Sequence, residues 1–129
     1  PVAAGAGSTS LVLTAGSGGH FMSQGAINGR AVNFMVDTGA TSVALSAGEA
    51  DRVGLNYKAG RPIAVSTANG VVPAWHLKLN SVRLGDVEIY EVDAVVSQAP
   101  MPYVLLGNSF LTRFQMTRHN NQMVLERRY

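Results

Sequence analysis

Phe34-Met35-Val36-Asp37-Thr38-Gly39-Ala40 sets one carboxylate at the end of an apolar run, followed by a hydroxyl, a glycine and an alanine. A carboxylate pressed against an apolar strand is costly to desolvate unless hydrogen bonds hold it or chemistry uses it. Thr38 can offer its hydroxyl, and Gly39 an unobstructed backbone N–H. Asp and Gly are also ordinary turn residues, so a strand that merely ends in a turn is the plain structural account of the triplet. The flanks point further, because a second β-like segment, Ser42-Val43-Ala44-Leu45-Ser46, follows directly.

Working outward, Asn28-Gly29 lies between two β-like segments and is a strong two-residue hairpin signal. Residues 1–19 are rich in Ala, Gly and Ser and read as a flexible lead-in, interrupted only by the short apolar Leu11-Val12-Leu13. Downstream, Ala47 to Leu55 is a helical candidate, with Ser46 placed to cap its start and Gly54 to end it. Pro62 to Thr67 and Val71 to Leu79 are β-rich and flank Ala68-Asn69-Gly70, a second hairpin signal. Gly85-Asp86 separates two further apolar segments, and Gln98 to Pro102 is a Pro-punctuated loop. Val104-Leu105-Leu106-Gly107 reads as a short buried strand ending in Gly, after which Asn108 is expected to cap a helical turn. A strand, an Asn120-Asn121 turn and Met123-Val124-Leu125 finish the chain. Many short strands, frequent turns and one or two short helices make a mainly β, barrel-like domain.

The bulk numbers bound the function. A chain of 129 residues suits one domain with one core. Charged residues are 14% and hydrophobic ones 47%, a balance that favours apolar surface seeking a partner. The net charge is +2, and no Lys/Arg block is interleaved with aromatics, which argues against nucleic acid. With no cysteine there is no disulfide, no thiolate metal site and no Cys nucleophile. No apolar stretch approaches the ~20 residues that span a bilayer, so any membrane contact needs a segment outside these residues. The chain opens on Pro1 rather than Met, which suggests a processed or trimmed product.

Taken in order, His20-Phe21, Ile27-Asn28-Gly29, Val36-Asp37-Thr38-Gly39-Ala40-Thr41, Thr67-Ala68-Asn69-Gly70 and Leu105-Leu106-Gly107-Asn108-Ser109-Phe110-Leu111 resemble the retropepsin-like aspartic proteases, in particular their single-domain bacterial members. The resemblance implies an acid-protease half, a closed barrel over residues 20–129. It implies Asp37 as the catalytic carboxylate, supported by Thr38, Gly39 and Ala40, with Thr38 bonding across a dimer. Ala68, Asn69 and Gly70 become the tip of a flap over substrate. Leu105, Leu106 and Gly107 become the strand that crosses beneath the Asp37 loop. Bacterial members of the family further suggest a periplasmic or membrane-anchored parent protein. No metal and no cofactor are implied.

Such chemistry needs two facing carboxylates, one acting as base toward a water while the other, protonated, polarises the scissile carbonyl. They share one proton, because neither releases the second easily beside the other. Only one Asp-Thr-Gly occurs here, and Asp51, Asp86 and Asp93 lack the following Thr-Gly or Ser-Gly. The second carboxylate is therefore expected from another copy in a C2 homodimer. An extended peptide is the implied substrate, with apolar pockets near the cut. Interleaved terminal strands tie the retroviral dimers; the long Gly-rich start and the Glu126-Arg127-Arg128-Tyr129 tail suggest another edge arrangement here. The alternative function is a non-catalytic dimeric peptide-binding module on the same fold.

Other residues carry weaker signals. His20, His76 and His119 have no metal-ligand spacing and read as surface or hydrogen-bonded histidines. Gly107-Asn108-Ser109 fails the nucleophile-elbow pattern at Leu111. Trp75, just past the flap, is open between contacting substrate and packing in the core.

Overall fold

A computed structural model describes residues 10–128 of the chain. Its elements run β1 Ser10–Thr14, β2 Met22–Ile27, β3 Arg30–Val36, β4 Val43–Ser46, α1 Ala47–Arg52, β5 Arg61–Thr67, β6 Gly70–Leu84, β7 Val87–Ser97, β8 Val104–Leu106, α2 Asn108–Leu111, β9 Phe114–His119 and β10 Gln122–Arg127. Seven strands form one sheet in the order β2-β3-β8-β4-β7-β6-β5, and β2 also pairs with β6. That extra pairing closes six strands into a barrel and leaves β5 outside the ring as an edge. The mainly β, closed-barrel expectation holds.

Local chemistry explains the turns. Asn28 and Gly29 both have positive φ, 50° and 82°, the requirement of the tight hairpin that joins β2 to β3. Ser46 accepts the Glu49 N–H at 3.1 Å and so caps α1, whose buried Ala50 faces the core. The helix is shorter than the expected span to Leu55, and Gly54, at φ 77°, turns the chain away after it.

Alternation builds the core. Along β3 and β8, Phe34, Leu106 and Val104 point inward and are buried, joined by Val43, Leu45, Ala94 and Val96 from β4 and β7. Phe110 of α2 and Phe114 of β9 are buried and pack with tilted rings, 5.0 Å between ring centres. Trp75 packs edge-on against Tyr57 at 5.0 Å and lies against the core, which favours the packing side of its two readings.

Two expectations are corrected. The lead-in was expected through residue 19, but Ser10–Thr14 pair antiparallel with Gln122–Glu126 in a second sheet of order β1-β10-β9. Leu13 is buried there, so the short apolar triplet is part of the domain rather than of a linker; residues 1–9 lie outside the described residues. Secondly, Gly107 and not Asn108 occupies the N-cap of α2, and no side chain caps that helix. Asn108 is free to bond elsewhere.

Candidate active site

The Asp37 loop is assembled from two segments far apart in sequence. β3 and β8 run parallel, with Met35 beside Leu105 and Val36 beside Leu106. The Asp37 N–H continues that pairing onto the Leu106 carbonyl at 3.2 Å. The chain then folds back, as Ala40 N–H donates to the Asp37 carbonyl at 3.1 Å. Gly39 N–H donates to Asp37 Oδ1 at 2.9 Å, which orients the half-buried carboxylate.

The start of α2 locks the loop from the other side. Asn108 N–H donates to the Ala40 carbonyl at 2.8 Å, and Ser109 N–H to the Thr41 carbonyl at 2.9 Å. Asn108 Nδ2 donates to the Thr38 carbonyl at 3.0 Å. Ser109 Oγ accepts from Val43 N–H at 3.0 Å and donates to the Asp93 carbonyl at 2.7 Å. Between these bonds the backbones nearly touch at Gly107. A Cβ there would sit 2.2 Å from the Ser42 oxygen and 2.8 Å from the Ala40 oxygen. Only a residue without a side chain permits this crossing.

Thus Asp37, Thr38, Gly39, Ala40, Leu106 and Gly107 are brought together. Ala68, Asn69 and Gly70 are not. They form the exposed tip of the β5–β6 hairpin, and among the described residues no hydrogen bond joins them to the Asp37 loop. Thr67 closes the turn itself, its hydroxyl donating to the Gly70 carbonyl at 2.7 Å and accepting from Asn69 N–H at 3.2 Å. The hairpin tip runs on past the barrel pairing, because β6 pairs with β7 from Ala74, opposite Ser97, and the last bond beyond it is from Gln98 N–H to the Pro73 carbonyl at 3.2 Å.

Asn108 and Ser109 are site residues whose roles sequence reasoning missed. A polar pair directly after the Gly107 crossing was the available signal. Also missed was an apolar row on the outer face of the barrel. Met35 pairs with Leu105, Leu105 with Ala44, and Ala44 with Val95, and each is half-buried. By strand alternation Asp37 falls on the same face as Met35, two residues before it. Here, then, is a carboxylate at the end of a four-strand apolar floor. Leu105 belongs to that floor, while Leu106 is buried beneath it.

The histidines are scattered. His76 Nε2 lies 3.7 Å from Asp93, which Lys78 also approaches at 3.7 Å. No group of three metal-binding side chains occurs among the described residues.

Comparison with known proteins agrees with this geometry. The family described as gag-polyprotein putative aspartyl protease matches residues 23–113. An uncharacterized protein from the cobV 5′ region of a Sinorhizobium species is 30% identical over 112 residues, covering 85% of this chain and 48% of its own length. An uncharacterized protein of Rickettsia prowazekii is 31% identical over 116 residues, covering 89% and 50%. The chain therefore spans about half the length of the curated relatives it matches. A crystal structure of a retropepsin-like aspartic protease from Rickettsia conorii superposes with a TM-score of 0.79 at 30% identity, over 90% of this chain and 98% of that one. The EIAV protease, solved with the inhibitor HBY-793, shares the fold at a TM-score of 0.55 and 20% identity, over 70% of this chain and 84% of that one. A matched family that covers the Asp37 loop, the β5–β6 hairpin and the Gly107 crossing, together with the likeness to the Rickettsia conorii enzyme, means that this chain belongs to the retropepsin-like aspartic proteases.

Proposed function

We propose that the chain is one half of a homodimeric aspartic endopeptidase that cuts extended peptides. The observation that carries this reading is the oriented carboxylate: Asp37, fixed by Gly39 N–H at 2.9 Å, at the end of an apolar floor. A binding module has no evident need for a half-buried acid aimed in this way by a backbone donor. One such acid per chain calls for a second copy, with Asp37 near the two-fold axis. The pair then shares one proton, and the ionised member takes a proton from water as that water attacks the scissile carbonyl. The protonated member donates a hydrogen bond to the developing oxyanion. Thr38 is exposed beside the acid, and its hydroxyl has no partner among the described residues, so it is available to bond across the axis.

Substrate would lie between the floor of Met35, Leu105, Ala44 and Val95 and the overhanging hairpin tipped by Ala68, Asn69 and Gly70. Closure of the hairpin excludes water and strengthens the electrostatics inside. The floor favours apolar side chains next to the cut. A periplasmic or membrane-anchored setting belongs to this proposal too, and fractionation of the full-length protein in its cell would test it.

The deciding experiment compares wild type with Asp37→Asn on an unstructured peptide mixture from mildly acidic to neutral pH. Specific cutting by wild type alone, with both proteins folded, supports the endopeptidase. Binding by both without turnover supports the peptide-binding module instead. Sedimentation beside the assay tests the dimer, and a strictly monomeric active species contradicts the paired-acid mechanism.

A further inference from the structure

The outer face that carries Asp37 continues into a separate cleft of about 710 Å³, walled by β2, β3, α1, the end of β6 with the β6–β7 turn, and residues 101–103. That size suits a peptide side chain with its neighbours. Gln24 and Asn33 stand opposite each other in register across its floor and are exposed. Neither side chain has a hydrogen bond among the described residues. Each amide offers both a donor and an acceptor, the pair of functions that a peptide backbone presents in return.

The charges of the cleft are unevenly satisfied. Arg52 is occupied, bonding Glu49 at 2.8 and 2.6 Å and the Ala31 carbonyl at 2.7 Å. Arg83 is not. Its guanidinium donates only to the Gly85 carbonyl, at 2.8 Å, and it makes no ion pair among the described residues. Glu88 stands opposite Arg83 in register, but its carboxylate accepts the Tyr90 hydroxyl at 2.7 Å. One cation with spare donors therefore faces the cleft, alongside the partly exposed ring of Tyr103. A guanidinium fork matches a carboxylate.

Position links the cleft to the acid. Outward residues along β3 run from Asp37 through Met35 to Asn33, a separation of about 13 Å at ~3.3 Å per residue. An extended peptide covers that in about four residues. In a C2 dimer there is one such cleft on each side of the cut.

We infer that this cleft is a distal substrate subsite for an acidic side chain about four residues from the scissile bond, with Arg83 as its cation and Gln24 and Asn33 pairing with the peptide backbone. Its role as a subsite rests on the endopeptidase reading; its preference for an acidic peptide rests on the cleft alone. The test uses the uncleaving Asp37→Asn chain and two labelled peptides of about twelve residues. Both have an apolar centre; one carries Glu four residues to either side of it and the other Gln. Fluorescence anisotropy should show the Glu peptide binding about tenfold more tightly at low salt, with the margin shrinking as salt rises. Arg83→Gln should erase that margin, and Asn33→Ala should weaken both peptides alike. Thermal melts check that both variants stay folded. Equal affinity for the two peptides, or a preference that survives Arg83→Gln, overturns the assignment. If wild type cuts neither peptide while the Glu preference persists, the endopeptidase reading fails and the acid-binding cleft stands.

Discussion

Replacing Gly107 by Ala tests whether the crossing beneath the Asp37 loop is as tight as its geometry states. The backbone at Gly107 has φ −91° and ψ −170°, which any residue adopts, so the effect is steric and not conformational. The new Cβ would meet the Ser42 oxygen at 2.2 Å, the Ser42 carbon at 2.7 Å and the Ala40 oxygen at 2.8 Å, all backbone atoms. Ordinary contact begins near 3.4 Å, so the Ser42 carbonyl must retreat by about 1.2 Å. It cannot move alone, because hydrogen bonds tie Ala40 and Thr41 to the segment that carries residue 107. Overpacking of this kind costs about 1–3 kcal/mol, and three backbone clashes place it near the top, about 3 kcal/mol. For a domain of this size that lowers the melting temperature by roughly 10 °C. If the endopeptidase reading holds, a displacement of about 1 Å at the loop also slows cleavage on the order of a hundredfold. Urea titration and peptide cleavage, run side by side, measure both. Gly48→Ala is the control: nothing lies within 4 Å of its would-be Cβ, and in α1 it should stabilise by about 0.5 kcal/mol. A Gly107→Ala protein that loses less than about 0.5 kcal/mol refutes the steric argument.

Further outcomes follow from single contacts. Under the endopeptidase reading, Asp37→Asn abolishes cutting while its melting temperature stays within a few degrees of wild type, since an amide oxygen still accepts the Gly39 N–H. Ser109→Ala removes the hydroxyl shared by Val43 N–H and the Asp93 carbonyl, at a cost of about 1–3 kcal/mol in chemical denaturation. Glu49 is held below its ordinary carboxylate value chiefly by the hydrogen bond from Arg52. Its contribution is therefore present above the unfolded value of 4.5 and lost as pH falls through the lower folded value. Glu49→Gln should be slightly less stable than wild type at neutral pH, and the difference should vanish in strong acid; a gap that widens in acid contradicts the assignment. In hydrogen exchange, β5 amides on the open sheet edge should exchange faster than those of β8, which is paired on both sides by β3 and β4.

Much of the fold was legible because its signals are local. Asn28-Gly29 specifies a turn by needing two positive φ values, and Ser46 specifies a helix start by reaching a nearby N–H. The Asp-Thr-Gly-Ala run announces itself for a similar reason, since Gly39 bonds the acid from only two residues away. What stayed hidden depends on distant partners. Leu11-Val12-Leu13 is too short to declare itself a strand, and β1 exists through pairing with residues more than a hundred positions later. β6 looked like two pieces, yet it runs continuously because it changes partners along its length, from β5 to β7 and β2. Met35, Leu105, Ala44 and Val95 carry no shared motif; only the sheet order makes them one surface.

The same division explains how this site can be both firm and open. Asp37 has one intraloop bond to its carboxylate, which alone would leave the loop free to tilt. Stiffness comes from the other segment: Asn108 and Ser109 supply bonds to Thr38, Ala40, Thr41 and Val43, at four successive levels of the loop. Gly107 sets their separation, because a side chain there would press on the Ser42 and Ala40 backbone and drive the two segments apart. The hairpin opposite has the reverse design. Its tip is closed by Thr67, and beyond the Gln98 N–H bond to the Pro73 carbonyl its strands pair with each other. Under the proposed endopeptidase reading, an acid that pairs with a twin needs a fixed address, whereas a cover over a long peptide must lift to admit it. The chain spends its long-range hydrogen bonds on the first requirement and leaves the second to a strand pair at the sheet edge.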